Sequence, residues 1–173
     1  MLKPQDVVVA LALHARPGQP YAGIAAQCHI SAAEAHAAVK RLIKARLVNP
    51  ERGVNRRSLV EFLVHGVRYV WPAEFVGVTT GMPTAGEAPG LQPETGNMKA
   101  FPEPEFGPWV WPSPHGRLRG IGIVPLYASV PDAADQDPHL YRLLALIDAI
   151  RAGGARDRNE AERLLKKEMS LVQ

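Results

Sequence analysis

Between residues 40 and 57 the chain carries Lys40, Arg41, Lys44, Arg46, Arg52, Arg56 and Arg57 against one acid, Glu51. Cations gathered this closely attract polyanions and neutralise phosphate. The whole chain of 173 residues has a formal charge of only +3, so the positive charge is concentrated rather than spread. Immediately upstream, residues 32–38 read AAEAHAA. Side chains that small let a helix come close to a large partner, and His36 adds one hydrogen-bonding ring.

Other chemistries find less support. Cys28 is the only cysteine, which rules out an internal disulfide and a multi-cysteine zinc site. Cys28, His29 and His36 together lack a fourth ligand, and Cys28 reads as core. His65 lies in an apolar stretch and reads as a core or interface residue. The GIG within "GRLRGIGIVP" is followed by a strand-like run instead of a helix, so it does not suit a nucleotide loop. Trp109 and Trp111 sit at alternate strand positions, where tryptophans pack a sheet. Glu103 and Glu105 fall in a Pro-rich stretch that holds no catalytic separation, and they read as solubilising charges. No Ser/His/Asp or Cys/His set has supporting context, so no enzyme and no cofactor are expected.

The cationic stretch needs elements to hold it. The pattern predicts a helix over residues 4–14, with Pro4 tolerated in the opening turn. "RPGQP" at 16–20 breaks it, and a second helix follows over 21–28. His29 and Ile30 make a tight turn. Ser31 caps a third helix, with Glu34 completing a reciprocal capping box. On that helix Ala35, Val39, Leu42 and Ile43 face inward at three- and four-residue steps. Ala33, His36, Ala37, Lys40, Arg41 and Lys44 are left on the opposite face.

Downstream, "SLVEFLVHGVRYVW" at 58–71 is apolar on nearly every side, as in a helix buried in a core or against a second subunit. Residues 77–108 hold six Gly and six Pro, which reads as a linker or surface arm. "WVWPSPHGRLRGIGIVPLY" at 109–127 suggests a β-hairpin turning through Pro112 to Gly116. Two amphipathic helices close the chain. The first carries Leu140, Leu143, Leu144, Ile147 and Ile150 on one stripe and stops at Gly153-Gly154. The expected fold is mainly α with a small β element, an α+β chain divided as 1–76, 77–108 and 109–173. The apolar run near the N-terminus is too short to span a bilayer and has no signal cleavage pattern, so a cytoplasmic protein with no membrane partner is expected.

Helix, turn, capped helix, then Leu47-Val48 leading out resembles the winged helix-turn-helix of MarR-like bacterial transcriptional regulators. Ile24 and Ala25 match the supporting helix, Ile30 and Ser31 the turn and cap, and Ala35, Val39 and Leu42 the inward face of the recognition helix. The resemblance covers residues 4–76. His29 and Arg46 depart from it, each standing where that family commonly has Gly. About eight residues separate Val48 from the next helix, little room for a wing.

The resemblance implies double-stranded DNA as partner. Ala32, Ala33, His36 and Ala37 would lie nearest the base edges, with Tyr21 and Ser31 also among the DNA-binding residues. Lys40, Arg41 and Lys44, with Arg52, Asn55, Arg56 and Arg57 of a stub wing, would complete the DNA-binding set through phosphate contacts, and any bidentate reading of guanine would come from Lys40, Arg41 or the wing region. Arg117 and Arg119 of the later hairpin are a possible second wing. A homodimer would set its recognition helices roughly 34–36 Å apart. Affinity dominated by phosphate contacts would fall steeply with salt. A second expectation is an antitoxin-like protein that neutralises a toxin-like enzyme, with the 77–108 arm wrapping that partner.

Overall fold

The computed structural model describes residues 1–91 and 105–172. Among these residues the chain is mainly helical with one small three-stranded sheet, an α+β architecture. Helices α1 (Pro4–Ala15), α2 (Tyr21–Cys28) and α3 (Ala32–Lys44) come first. Helix α1 is buried without a break from Asp6 to Leu13, because α2, α3 and a later helix all pack on it.

Helices α2 and α3 end in the same way. His29 takes a left-handed φ of 51°, and the Ile30 N–H returns to the Ala25 carbonyl at 3.1 Å. Arg46 takes φ 60°, and the Leu47 N–H returns to the Leu42 carbonyl at 3.0 Å. Both are Schellman endings, which leave orphan carbonyls satisfied and normally use glycine at the left-handed position. The expected departures at His29 and Arg46 are therefore changes of residue type and leave the backbone path intact.

After α3 an isolated antiparallel bridge joins Val48 to Val54, closed by the Asn49 N–H on the Gly53 carbonyl at 2.8 Å. Asn55 then caps α4 (Arg56–His65), accepting the Ser58 N–H at 3.3 Å. A short α5 (Val67–Val70) follows. The single buried helix expected over 58–71 is corrected here. The chain breaks at Gly66, and only Leu59, Val60, Leu63 and Val67 are buried. Glu61, His65, Tyr69 and Val70 are exposed, so His65 is not a core residue. The apolar run holds one inward stripe rather than a full circumference.

The stretch read as a linker also contains structure. Strand β1 (Phe75–Pro83) enters it and is followed by a buried 3-10 turn, Ala85–Glu87. Residues 92–104, with Glu103, lie outside the described residues. Strands β2 (Trp109–Pro112) and β3 (Leu118–Ile123) complete the sheet. β1 runs antiparallel to β3, from Phe75↔Ile123 to Gly81↔Leu118, and its end runs antiparallel to β2. β2 and β3 are parallel through Trp109↔Ile121, which closes the three strands on themselves. The expected 109–124 hairpin is thus corrected: both arms pair with β1. Glycine permits this closure. A Cβ on Gly81 would overlap the Trp111 carbonyl, and one on Gly120 the Pro108 carbonyl.

Helices α6 (Val130–Gln136), α7 (Pro138–Ala152) and α8 (Ala155–Glu168) finish the chain. Helix α7 is buried at every position from Leu143 to Ile150, not along one stripe, because α1, α4, α5, α6, α8 and the 3-10 turn surround it. Its N-terminus is capped by Asp137, which accepts the His139 and Leu140 N–H groups and also the Gln27 side chain at 2.9 Å. One apolar core runs from Val7 to Met169 and draws on both the first and the last of the three expected segments.

Candidate nucleic-acid interface

Helix α3 is seated by Ala35, Ala38, Val39 and Leu42, all buried against α1 and α2, while Ile43 is half-buried. Its start is fixed locally. The Ser31 hydroxyl accepts the Glu34 N–H at 3.1 Å, and the Glu34 carboxylate accepts the Ser31 N–H at 3.0 Å. Those bonds from Ser31 hold the Glu34 carboxyl below its usual range. Outward, Ala32, Ala33, His36, Lys40 and Lys44 are exposed and Ala37 half-buried. From Ala33 the steps are three, seven and eleven residues, which is one face of a helix.

Arg41 does not belong to that face. Its guanidinium grips Asp6 at 2.8 and 2.6 Å, and Asp6 is fully buried. Asp6 also accepts the Lys3 N–H at 2.8 Å, so its carboxylate closes the first turn of α1 and draws Arg41 inward. A buried carboxylate without a partner is costly, and the forked guanidinium satisfies both oxygens at once. The guanidinium expected to meet DNA is thus already engaged inside the fold.

Three other candidates also have work inside the fold. Arg56 donates to the Met169 carbonyl at 3.3 Å. Asn55 caps α4 and donates to the Arg46 carbonyl at 3.4 Å. Arg52 donates to the Gln19 carbonyl at 2.8 Å while its guanidinium lies 4.9 Å from the Tyr21 ring centre. Tyr21 in turn meets His36 with ring centroids 4.8 Å apart. A column of Arg52, Tyr21 and His36 therefore ties the 48–54 turn and the start of α2 to the outward face of α3. Sequence reading named all three without joining them.

Lys40, Lys44, Arg46 and Arg57 are exposed and carry no ion pair among the described residues. Arg117 and Arg119 are exposed too; Arg119 lies on β3, held by β1 and β2, and Arg117 just before it. The isolated bridge between Val48 and Val54 is the β-structure that follows α3 directly in the chain.

Sequence reading missed the polar centre of the C-terminal half. Asp148 is buried and accepts from Thr84 at 2.9 Å, Trp111 at 2.5 Å and Arg151 at 2.8 Å. Burial pushes its carboxyl upward, against the opposing pull of Arg151. Arg151 goes on to the Trp71 carbonyl at 2.9 Å. An Asp and an Arg three apart in the otherwise apolar second half of α7 were the available signal. Burial likewise pushes the Cys28 thiol up to about 12, in keeping with a packing role.

Among the described residues no helix is long and apolar enough to cross a membrane. Comparison with protein-family models, with curated proteins and with solved structures finds no match for the chain.

Proposed function

We propose that the chain is a double-stranded DNA-binding transcriptional regulator of the winged helix-turn-helix kind, acting as a homodimer. The observation that carries this reading is the outward face of α3: small residues at its start, Lys40 and Lys44 beyond, and Arg46 just past its end, none of these cations ion-paired among the described residues. Ala32 and Ala33 allow close approach but offer no hydrogen bonds to bases. Affinity then comes from phosphate neutralisation, and sequence choice comes partly from the shape of the duplex.

The dimer reading rests on a strip of exposed apolar side chains. Tyr69 and Val70 on α5, with Phe75, Val76 and Val78 on β1, are each at least 44% exposed. Apolar side chains grouped in this way mark a protein contact more often than bare surface. A second copy of the chain is the proposed occupant. An antitoxin-like role would place a different protein on the same strip. Size measurement by light scattering separates the two, since a monomer that co-purifies with a second polypeptide at fixed ratio favours the antitoxin reading.

The direct test is fluorescence anisotropy on genomic DNA fragments at two salt concentrations. Wild type is expected to bind with a steep salt dependence. The Lys40→Ala, Lys44→Ala, Arg46→Gly triple variant should lower the slope by about one per removed cation. Unchanged binding by a folded triple variant, or a flat salt response in wild type, would overturn the proposal.

A further inference from the structure

Helix α8 ends in a niche built by side chains from three other helices. His14 of α1 donates from Nε2 to the Glu168 carbonyl at 3.1 Å, since a carbonyl can only accept. Arg56 of α4 donates to the next carbonyl, Met169, at 3.3 Å. A helix leaves such carbonyls unpaired at its C-terminus, so His14 and Arg56 cap α8 from outside. His139 and Arg142 of α7 meet the Glu168 carboxylate at 3.1 and 3.3 Å.

The niche is crowded with positive charge. The His14 and His139 rings lie 5.7 Å apart, centre to centre. Arg56 shares a cleft with His14, as do Glu51 and Arg52 of the turn after α3. Around His14 stand three arginines, Arg52, Arg56 and Arg142, and two acids, Glu51 and Glu168. Partial burial opposes charge on His14 most strongly, and the bond to the Glu168 carbonyl pulls the other way. His139 and Arg56 add repulsion, and the Glu168 carboxylate a smaller attraction. The net direction is downward from an ordinary histidine.

The closed niche therefore keeps His14 neutral, whereas an opened one, with the ring in water, takes up the proton first as pH falls. The stabilisation is present above the ordinary histidine range, near about pH 6.5, and is lost as pH falls toward the lower folded value.

We propose that the end of α8 is a proton-operated latch: a charge on His14, set among Arg56, Arg142 and His139, releases residues 166–172 from α1 and α4. The rest of the core stays closed, because Ala161 and Leu165 are fully buried and still anchor α8 on α7. Met169, also fully buried, favours the shut state at neutral pH. The latch is separate from the outward face of α3 and stands whether or not that face binds DNA.

Hydrogen exchange read by mass spectrometry on the full chain, at about pH 7.5 and about pH 5.5, tests the proposal. After correction for intrinsic rates, opening of residues 166–172 should rise by up to about tenfold at the lower pH, the limit for one histidine. Residues 32–44 are the reference and should not follow. His14→Gln keeps an N–H donor for the Glu168 carbonyl but takes no charge, so its rise should stay below about twofold. Arg56→Gln removes a repelling cation and should reduce the rise part of the way, which provides a second variant should His14→Gln fail to fold. An NMR titration should place the His14 midpoint in wild type below that of an ordinary histidine. A wild-type rise in every variant that folds would overturn the latch. So would no rise in wild type, an equal rise at residues 32–44, or an ordinary His14 midpoint.

Discussion

The contact between α1 and α3 and the contact between α7 and the sheet are each built on one aspartate and one arginine, and they leave different surfaces behind. In the first, Asp6 is fully buried, but the Arg41 side chain stays 22% exposed. Lys40 and Lys44, on the same helix, remain in solvent. In the second, Asp148 and Arg151 are 1% and 4% exposed, and Thr84, Trp111 and the Trp71 carbonyl absorb their remaining hydrogen bonds. One region keeps surplus charge facing outward, whereas the other closes on itself. Arginine serves inside in both, because its planar fork matches a carboxylate, and the strongly hydrated lysines stay out.

The largest effects follow from removing the two aspartates. Asp148→Ala strands Arg151 in the core and should cost about 3–5 kcal/mol, the usual range for breaking a buried pair from one side. Asp6→Ala should cost less, about 2–3 kcal/mol, since Arg41 can turn toward water. Urea unfolding midpoints at a common slope give both values. Equal losses would erase the distinction between a closed centre and an open one. Asp6→Ala also frees a cation beside Lys40 and Lys44, so DNA affinity should hold or rise while stability falls. A parallel drop in affinity would show that Arg41 matters to the face only by holding it in place.

Asp137 offers a smaller effect that depends on pH. Its burial raises its pKa, but bonds from the Leu140 N–H and Gln27, with the charge of Arg16, hold the net value below the ordinary one. The unfolded chain therefore takes up the proton first as pH falls. The stabilisation is fully present above the unfolded carboxylate range, near about pH 4, and is lost as pH falls through the lower folded value. Asp137→Ala should cost about 1–2 kcal/mol at neutral pH through the lost cap of α7. Its deficit against wild type should shrink in acid. A deficit that stays constant down to about pH 3 would mean that the carboxylate's charge contributes nothing.

What the sequence revealed, and what it hid, divides by distance along the chain. The limits of α2, the Ser31–Glu34 box and the buried positions Ala35, Val39 and Leu42 all depend on neighbours within four residues, and all were legible. The fate of the cations was not. Arg41 meets a carboxylate 35 positions away, and Arg56 a carbonyl 113 positions away. A count of positive charge cannot say which members of the set the fold engages. Strand β1 was hidden for a related reason. Its partners lie beyond the Gly- and Pro-rich stretch, and Gly81, one of the glycines that suggested a linker, is what lets β1 approach β2 so closely.

The smallest effect separates fold from surface at the two helix ends. His29 and Arg46 hold left-handed backbone at φ 51° and 60°, where a Cβ costs about 1–2 kcal/mol that glycine avoids. Glycine also loses more freedom on folding, so each substitution should stabilise by only about 0.5–1 kcal/mol. His29→Gly removes no cation, and its affinity for DNA should stay at the wild-type level. Arg46→Gly removes a cation that has no ion pair among the described residues, so it should gain the same stability and lose about one unit of salt slope. Arg46 would then stand at a position where foldability favours glycine and the surface favours charge. If both variants gained stability and bound DNA alike, the cationic face would end at Lys44, and the turn beyond α3 would belong to the fold alone.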